Sequence, residues 1–232
     1  LANLLVGLKK PTSGGLNLFG RPAGDWDVQT LANEIALVFQ NPEHQFLTDS
    51  VADEIGYSLM AQGVENEDEI QRRTDKWLGK LGLLEVKEIH PFALSAGLKR
   101  RLGVATMLVG EPQILLVDEP TYGQDKEMTF TLMNLMQEIR EQGVAVVMIT
   151  HDMRLVQEYG ERVLVMSGGK LLHDGFSESL FTKDRILAQA NLRRTILHDL
   201  LREMAEHGAS VEGKVRRTAD LEKLLKARIS AR

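Results

Sequence analysis

Ile114-Leu115-Leu116-Val117-Asp118-Glu119-Pro120 is an apolar run that ends in two adjacent carboxylates. Four consecutive large apolar residues bounded by polar ones fit a strand buried on both faces, as in the interior of a parallel sheet. Neighbouring residues on a strand point to opposite sides, so Asp118 and Glu119 are not one acid-base dyad and two separate roles are expected. At the carboxyl end of a parallel strand, one carboxylate can hold the Mg2+ of a nucleotide while its neighbour polarises the water that attacks the γ-phosphate. Asp118 is assigned to the metal and Glu119 to the water. Acidic residues also cap strand ends before proline without any such role, so the run is read together with its surroundings.

Downstream, residues 128–142 have the period of an amphipathic helix, and residues 144–149 form a second apolar run that ends Ile149-Thr150-His151-Asp152. If the two strands are neighbours, His151 lies beside the carboxylates and could hydrogen-bond a γ-phosphate and the catalytic group. A lone histidine there is more often a satisfied structural group. Upstream, Leu94-Ser95-Ala96-Gly97-Leu98-Lys99-Arg100-Arg101 is a small-residue turn leading into a helix. A helix start offers free N–H groups and partial positive charge, Ser95 adds a hydroxyl, and Gly97 lets backbone approach an anion. The plainer reading is an ordinary serine N-cap. Further upstream, in Val38-Phe39-Gln40-Asn41-Pro42, a strand over residues 35–39 runs out into a helical stretch. The Gln40 amide could there touch both the metal and the attacking water, although a glutamine before a turn is usually a solvated loop residue.

The strand, helix, strand order predicts an α/β fold with parallel strands covered on both faces. Around it lie a helix over residues 1–8, a small β-rich section to residue 39 with a strand at 16–19, and helical periodicity over residues 49–84. A β-hairpin is expected at residues 162–173 across Ser167-Gly168-Gly169, and the core is expected to end near Phe181. After residue 184 the strand-like runs cease. Ile196, Leu197, Leu200, Leu201 and Met204 then share one helical face, and Leu221, Leu224 and Leu225 suggest a second. This reads as a helical pair packed on its own domain or on a copy of itself. A basic helix on nucleic acid or membrane is disfavoured by the interspersed Asp199, Glu203, Glu206, Asp220 and Glu222.

The 232 residues are 43% hydrophobic and 26% charged, an ordinary balance for a soluble domain, and no apolar run approaches the ~20 residues of a membrane span. A net charge of -5 argues against a surface devoted to nucleic acid. There is no cysteine, which excludes disulfides and thiolate metal sites, and no secretory pattern at the start; a cytoplasmic location follows.

In order and spacing these segments resemble the ABC ATPase family from the first residue to about Phe181. Gln40 falls at the Q-loop, residues 94–98 are similar to the L-S-G-G-Q signature, and residues 114–119 to the Walker B strand with its glutamate. Tyr122-Gly123-Gln124-Asp125 resembles the D-loop and His151 the switch histidine. The resemblance implies a P-loop NTPase-like, mainly parallel sheet flanked by helices, with a β-rich edge, a helical subdomain at about 42–106 and a helical extension at 184–232 after the ATPase domain at 1–183. It implies ATP and Mg2+ as ligands and a second ABC ATPase domain, identical or related, bound head to tail. Ser95 and Gly97 would then reach the γ-phosphate held by the partner, and Asp125 would border the shared nucleotide. Catalysis would fall to Glu119, His151 and Gln40, with Asp118 and Gln40 at the metal.

Three departures stand out. The Walker A pattern G-x-x-x-x-G-K-[ST] occurs nowhere in these residues, so the chain is expected to begin just after it and, as given, to bind ATP poorly and hydrolyse none. Ala96 and Leu98 replace the usual Gly and Gln of the signature, and Leu98 has no amide to offer across a dimer. Gln124 stands in the D-loop where an apolar residue is common. Residues 38–46 and Ser50-Val51-Ala52-Asp53-Glu54-Ile55 resemble the energy-coupling-factor importers of vitamins and metal ions. There the ATPases drive transmembrane coupling and substrate-binding subunits from the cytoplasmic face of the membrane. A non-catalytic or regulatory ABC partner, or a soluble ABC ATPase of DNA repair or translation, are the alternatives.

Overall fold

The computed structural model describes residues 1–39, 42–121, 125–209 and 215–230, with only the backbone at 42 and 228–230. They form two compact units, Leu1–Ile149 and Thr150–Arg232.

In the first unit, α1 (Ala2–Leu5) ends short of the expected residue 8, where Gly7 follows at φ 75°. The short strands β1 (Asn17–Leu18) and β2 (Arg21–Pro22) pair antiparallel. α2 (Val28–Glu34), which the sequence reading did not contain, is capped by Asp27, whose Oδ1 accepts the Thr30 N–H at 2.8 Å. It leads directly into β3 (Ile35–Val38).

β3, β4 (Ile114–Asp118) and β5 (Ala145–Ile149) form a parallel sheet in the order β3-β4-β5. The register sets Val38 against Val117 and Asp118 against Ile149. Alternation divides the apolar residues between two cores. Ile35, Leu37 and Leu116 face one side, with Leu31 and partly buried Ala2, Leu5 and Val6. Ala36, Val38, Leu115 and Val117 face the other. The both-faces-covered expectation thus holds for β3 and β4. On β5, Val147, register partner of Leu116, is 42% exposed.

The larger core also receives α3 (Val51–Ala61), α4 (Glu67–Leu81), α5 (Ala96–Leu108) and α6 (Lys126–Glu141). Ile55, Leu59, Trp77, Leu78 and Leu102 share it with the sheet residues, so the helical section has no separate core. Ser50 and Asn66 cap α3 and α4, accepting N–H groups of Asp53 and Glu69, and Gly82 closes α4 at φ 64°.

The second unit contains α7 (Met153–Tyr159), then the hairpin of β6 (Arg162–Ser167) and β7 (Lys170–Phe176). Gly168 and Gly169 turn it with both φ positive, as the sequence led one to expect. α8 (Ser177–Leu180), α9 (Asp184–Gln189), α10 (Ile196–Glu206) and α11 (Thr218–Ser230) complete it. Leu187 of α9 shares a core with Val165 and Leu180. On α10, Leu197, Leu201 and Met204 are half-buried whereas Ile196 and Leu200 are exposed. No helix among the described residues is long and apolar enough to cross a membrane.

His173 makes this unit sensitive to acid. Its ring is buried with Nδ1 3.2 Å from Lys183 Nζ, and burial, reinforced by the Lys183 charge and opposed by Asp174, holds its pKa below the ordinary 6.5. A folded-state pKa below the unfolded one means the unfolded chain binds the proton first. The contribution of a neutral His173 is therefore complete above pH 6.5 and is lost as pH falls from there through the folded-state value. The difference in melting midpoint between wild type and His173→Gln should shift against wild type as the pH is lowered from about 7.5 to below 6.5. A gap that stays constant with pH would remove His173 from this role.

Candidate nucleotide site

β4 delivers Asp118 and Glu119 to the carboxyl end of the sheet, both half-buried. The strand ends at Asp118, and Glu119 turns at φ 45° into the left-handed region, which costs a non-glycine residue ~1 kcal/mol. Strand alternation, from which the sequence reading took the direction of both carboxylates, therefore ends at Asp118 and does not govern Glu119. The Glu119 N–H donates to the Ile149 carbonyl of β5 at 2.9 Å, and its own carbonyl accepts Arg100 Nη2 at 2.7 Å.

Arg100 was not among the sequence candidates. It lies on α5, only 3% exposed, and its Nη1 donates to the Phe39 carbonyl at 2.6 Å. Burial pushes the guanidinium pKa down, and the negative charge of Asp118 opposes that shift. A signal was available: Arg100, Val104 and Leu108 follow the i, i+4, i+8 rule for one helix face, and all three are buried. Lys99 and Gln45 were missed as well. Lys99 Nζ pairs with Glu43 Oε1 at 2.5 Å. Gln45 accepts the Phe39 N–H at 3.2 Å and donates to the Gly103 carbonyl at 3.3 Å.

Ser95 and Ala96 are exposed at the start of α5, and Ser95 Oγ accepts the Leu98 N–H at 3.4 Å. The serine cap and the open helix start are thus present together. Leu98 turns inward against the larger core, which accounts for an apolar residue there. A Cβ on Gly97 would come within 2.6 Å of Met128 Cε, so the glycine leaves room for the Met128 side chain. Asp125 caps α6, its Oδ1 accepting the Met128 N–H at 2.8 Å, and thereby holds the residue that packs on Gly97.

Gln40, with Asn41, and Tyr122, Gly123 and Gln124 lie outside the described residues. Between them, Arg100 and Gln45 hold the carbonyl and N–H of Phe39, the residue just before Gln40. His151 is exposed at the start of the second unit, two residues beyond β5. The next residue, Asp152, caps α7 through the Arg154 N–H at 2.9 Å.

The sequence model of the family described as ABC transporter matches residues 1–122. The chain is 40% identical over 200 residues to a Bacillus subtilis (strain 168) protein provisionally named HMP/thiamine import ATP-binding protein YkoD, covering 86% of this chain and 36% of that one. It is 32% identical over 208 residues to the energy-coupling factor transporter ATP-binding protein EcfA of Methanoculleus marisnigri, covering 89% of this chain and 74% of that protein. Against several of its other curated relatives, too, it spans well under half of their length. Among solved structures, cbiO1 from Clostridium perfringens, described as part of the ABC transporter complex cbiONQ, superposes with a TM-score of 0.71 at 30% identity, covering 86% of this chain and 80% of that one. An ATP-binding cassette solved as a dimer in a post-hydrolysis state with ADP and Pi gives 0.67 at 25% identity, covering 76% and 78%. With the parallel sheet and its two carboxylates as described, the chain belongs to the ABC transporter ATP-binding protein family.

Proposed function

We propose that the protein carrying this chain hydrolyses ATP to drive an importer of energy-coupling-factor type, for a vitamin, a cofactor precursor or a metal ion. The observation that carries this reading is the end of β4, where Asp118 closes a buried parallel strand and Glu119 leaves it in a turn fixed at both its N–H and its carbonyl. The importer class rests on relatives whose names speak of energy-coupling-factor transport and HMP/thiamine import.

Among the described residues no group of three or more His, Asp or Glu side chains could hold a metal by itself. That suits Mg2+, which takes one or two carboxylates and fills its shell with phosphate oxygens and water. Asp118 would hold it, with the Gln40 amide beside it, and bound Mg2+ supplies charge neutralisation at the phosphates. Glu119 polarises the attacking water and His151 hydrogen-bonds the γ-phosphate. Ser95 and Gly97, at the exposed start of α5, face a γ-phosphate held by a second ATPase domain, and Asp125 borders the same nucleotide. ATP-driven closure of the pair would pass through the helical section to transmembrane coupling and substrate-binding subunits, with the ATPase lying on the cytoplasmic face. The domain division proposed is an ATPase domain at 1–183 and a helical extension at 184–232.

The test is MgATP turnover by the chain as given, beside a version extended through its upstream residues. Turnover is expected from the extended protein. Its absence from both would favour a non-catalytic partner domain, in keeping with Leu98 lacking a polar group in the signature.

A further inference from the structure

The buried guanidinium of Arg100 has no part in the roles assigned so far. A buried charge is costly unless its donors are satisfied, and here two of them end on main-chain carbonyls, those of Phe39 at 2.6 Å and Glu119 at 2.7 Å. Those carbonyls belong to the residue before Gln40 and to the carboxylate assigned to the attacking water. Glu119 also sits in a left-handed conformation that persists only where the surroundings over-determine it. The surroundings that do so are the Ile149 carbonyl on one side of the residue and Arg100 on the other. The same helix reaches both flanks of residues 40–41 a second time, through Lys99 on Glu43 and through the Gly103 carbonyl on Gln45, which in turn holds the Phe39 N–H. Ser95 caps α5 and Gly97 lies in its first turn, so the helix that holds the Glu119 carbonyl is the one that starts at these two residues.

We propose that Arg100 is a positioning residue for hydrolysis: it locks the backbone of Glu119 and of Phe39 to α5, so that water activation depends on where the signature helix lies. The proposal rests on the ATPase reading and adds to it a coupling element within one domain. No contact between Arg100 and nucleotide is required.

The experiment compares wild type, Arg100→Met and Arg100→Lys in the amino-terminally extended protein, reading kcat, KM for MgATP and the melting midpoint. Arg100→Met should lower kcat about 10- to 100-fold, as expected when a reacting group is misplaced by about an ångström, with KM changed by less than about threefold. Arg100→Lys, which can still donate to one of the two carbonyls, should recover about a tenth to a half of wild-type kcat. Adding Arg100→Met to Glu119→Gln should cause little further loss, because residues that act through one another are not additive. Arg100→Met turnover within about twofold of wild type overturns the proposal, as does a further loss of about tenfold in the double variant. Should Arg100→Met fail to fold, Arg100→Gln, too short to serve both carbonyls, takes its place, and turnover within about twofold of wild type in that variant overturns the proposal. Wild type without MgATP turnover overturns the ATPase reading itself, an outcome distinct from the others.

Discussion

Glu119→Gln in the amino-terminally extended protein is expected to reduce MgATP turnover about a thousandfold, the usual scale for loss of a general base, while ATP binding persists. The reasoning is geometric. Glutamine has nearly the shape of glutamate and the same aversion to the left-handed region, so the backbone at φ 45° is neither relieved nor further strained. Both bonds that fix the turn, from the Glu119 N–H to Ile149 and from Arg100 to the Glu119 carbonyl, use main-chain atoms and survive the substitution. What disappears is the carboxylate that can polarise water. The melting midpoint should therefore stay within a degree or two, on the order of the shift caused by well under 1 kcal/mol in a domain of this size. A nucleotide-induced dimer, read by gel filtration with ATP, should be longer-lived in the variant than in wild type, because hydrolysis no longer reopens it. Steady-state turnover within about threefold of wild type would take Glu119 out of the reaction.

How much of this was legible beforehand depends on whether a feature is local. The run from Ile114 to Val117 announces a buried strand through four apolar residues in a row, and the structure divides them between two cores as the strand period requires. The glycine pair at 168–169 announces a hairpin because few other residues accept two positive φ angles in succession. α2 was illegible for the converse reason, since seven residues with one buried leucine give no periodicity to count. Val144 to Ile149 looks as apolar as β4, yet Val147 is left open, because burial is decided by what packs against a strand and not by its own composition.

At the candidate site, residue types spoke for the chemistry but not for the geometry. Asp118 and Glu119 are adjacent in sequence, and simple alternation gives them opposite directions; that Glu119 leaves the strand in a left-handed turn depends on partners about 20 and 30 residues away along the chain. Arg100 was hidden by its company in Lys99-Arg100-Arg101, which reads as a solvated face until the helix period is applied and sets it in line with Val104 and Leu108. Ser95 kept both of its readings, as cap and as open helix start, because one hydroxyl serves either.

The second large effect is on stability and lies outside the candidate site. Glu54 in α3 is 2% exposed, and its Oε2 alone accepts three hydrogen bonds, from the Leu47 and Thr48 N–H groups at 2.9 Å each and from Thr48 Oγ1 at 2.8 Å. A carboxylate early in a helix is also favoured by the partial positive charge there. Glu54→Ala removes the acceptor and leaves the Leu47 and Thr48 N–H groups unpaired or draws the loop open, while Thr48 Oγ1 keeps the Ser50 carbonyl at 3.1 Å. At 1–3 kcal/mol for each unsatisfied group, with partial relaxation toward solvent, the loss should be about 3–4 kcal/mol. Glu54→Gln retains an acceptor oxygen of the same reach without the charge and should cost about half as much. Urea denaturation measures both, and kcat per folded molecule should be unchanged in each, in contrast to Glu119→Gln. A Glu54→Ala loss below about 1 kcal/mol would mean that the loop at 47–48 holds its course without the carboxylate, and that α3 is fixed to the fold by its apolar face of Val51, Ile55 and Leu59 alone.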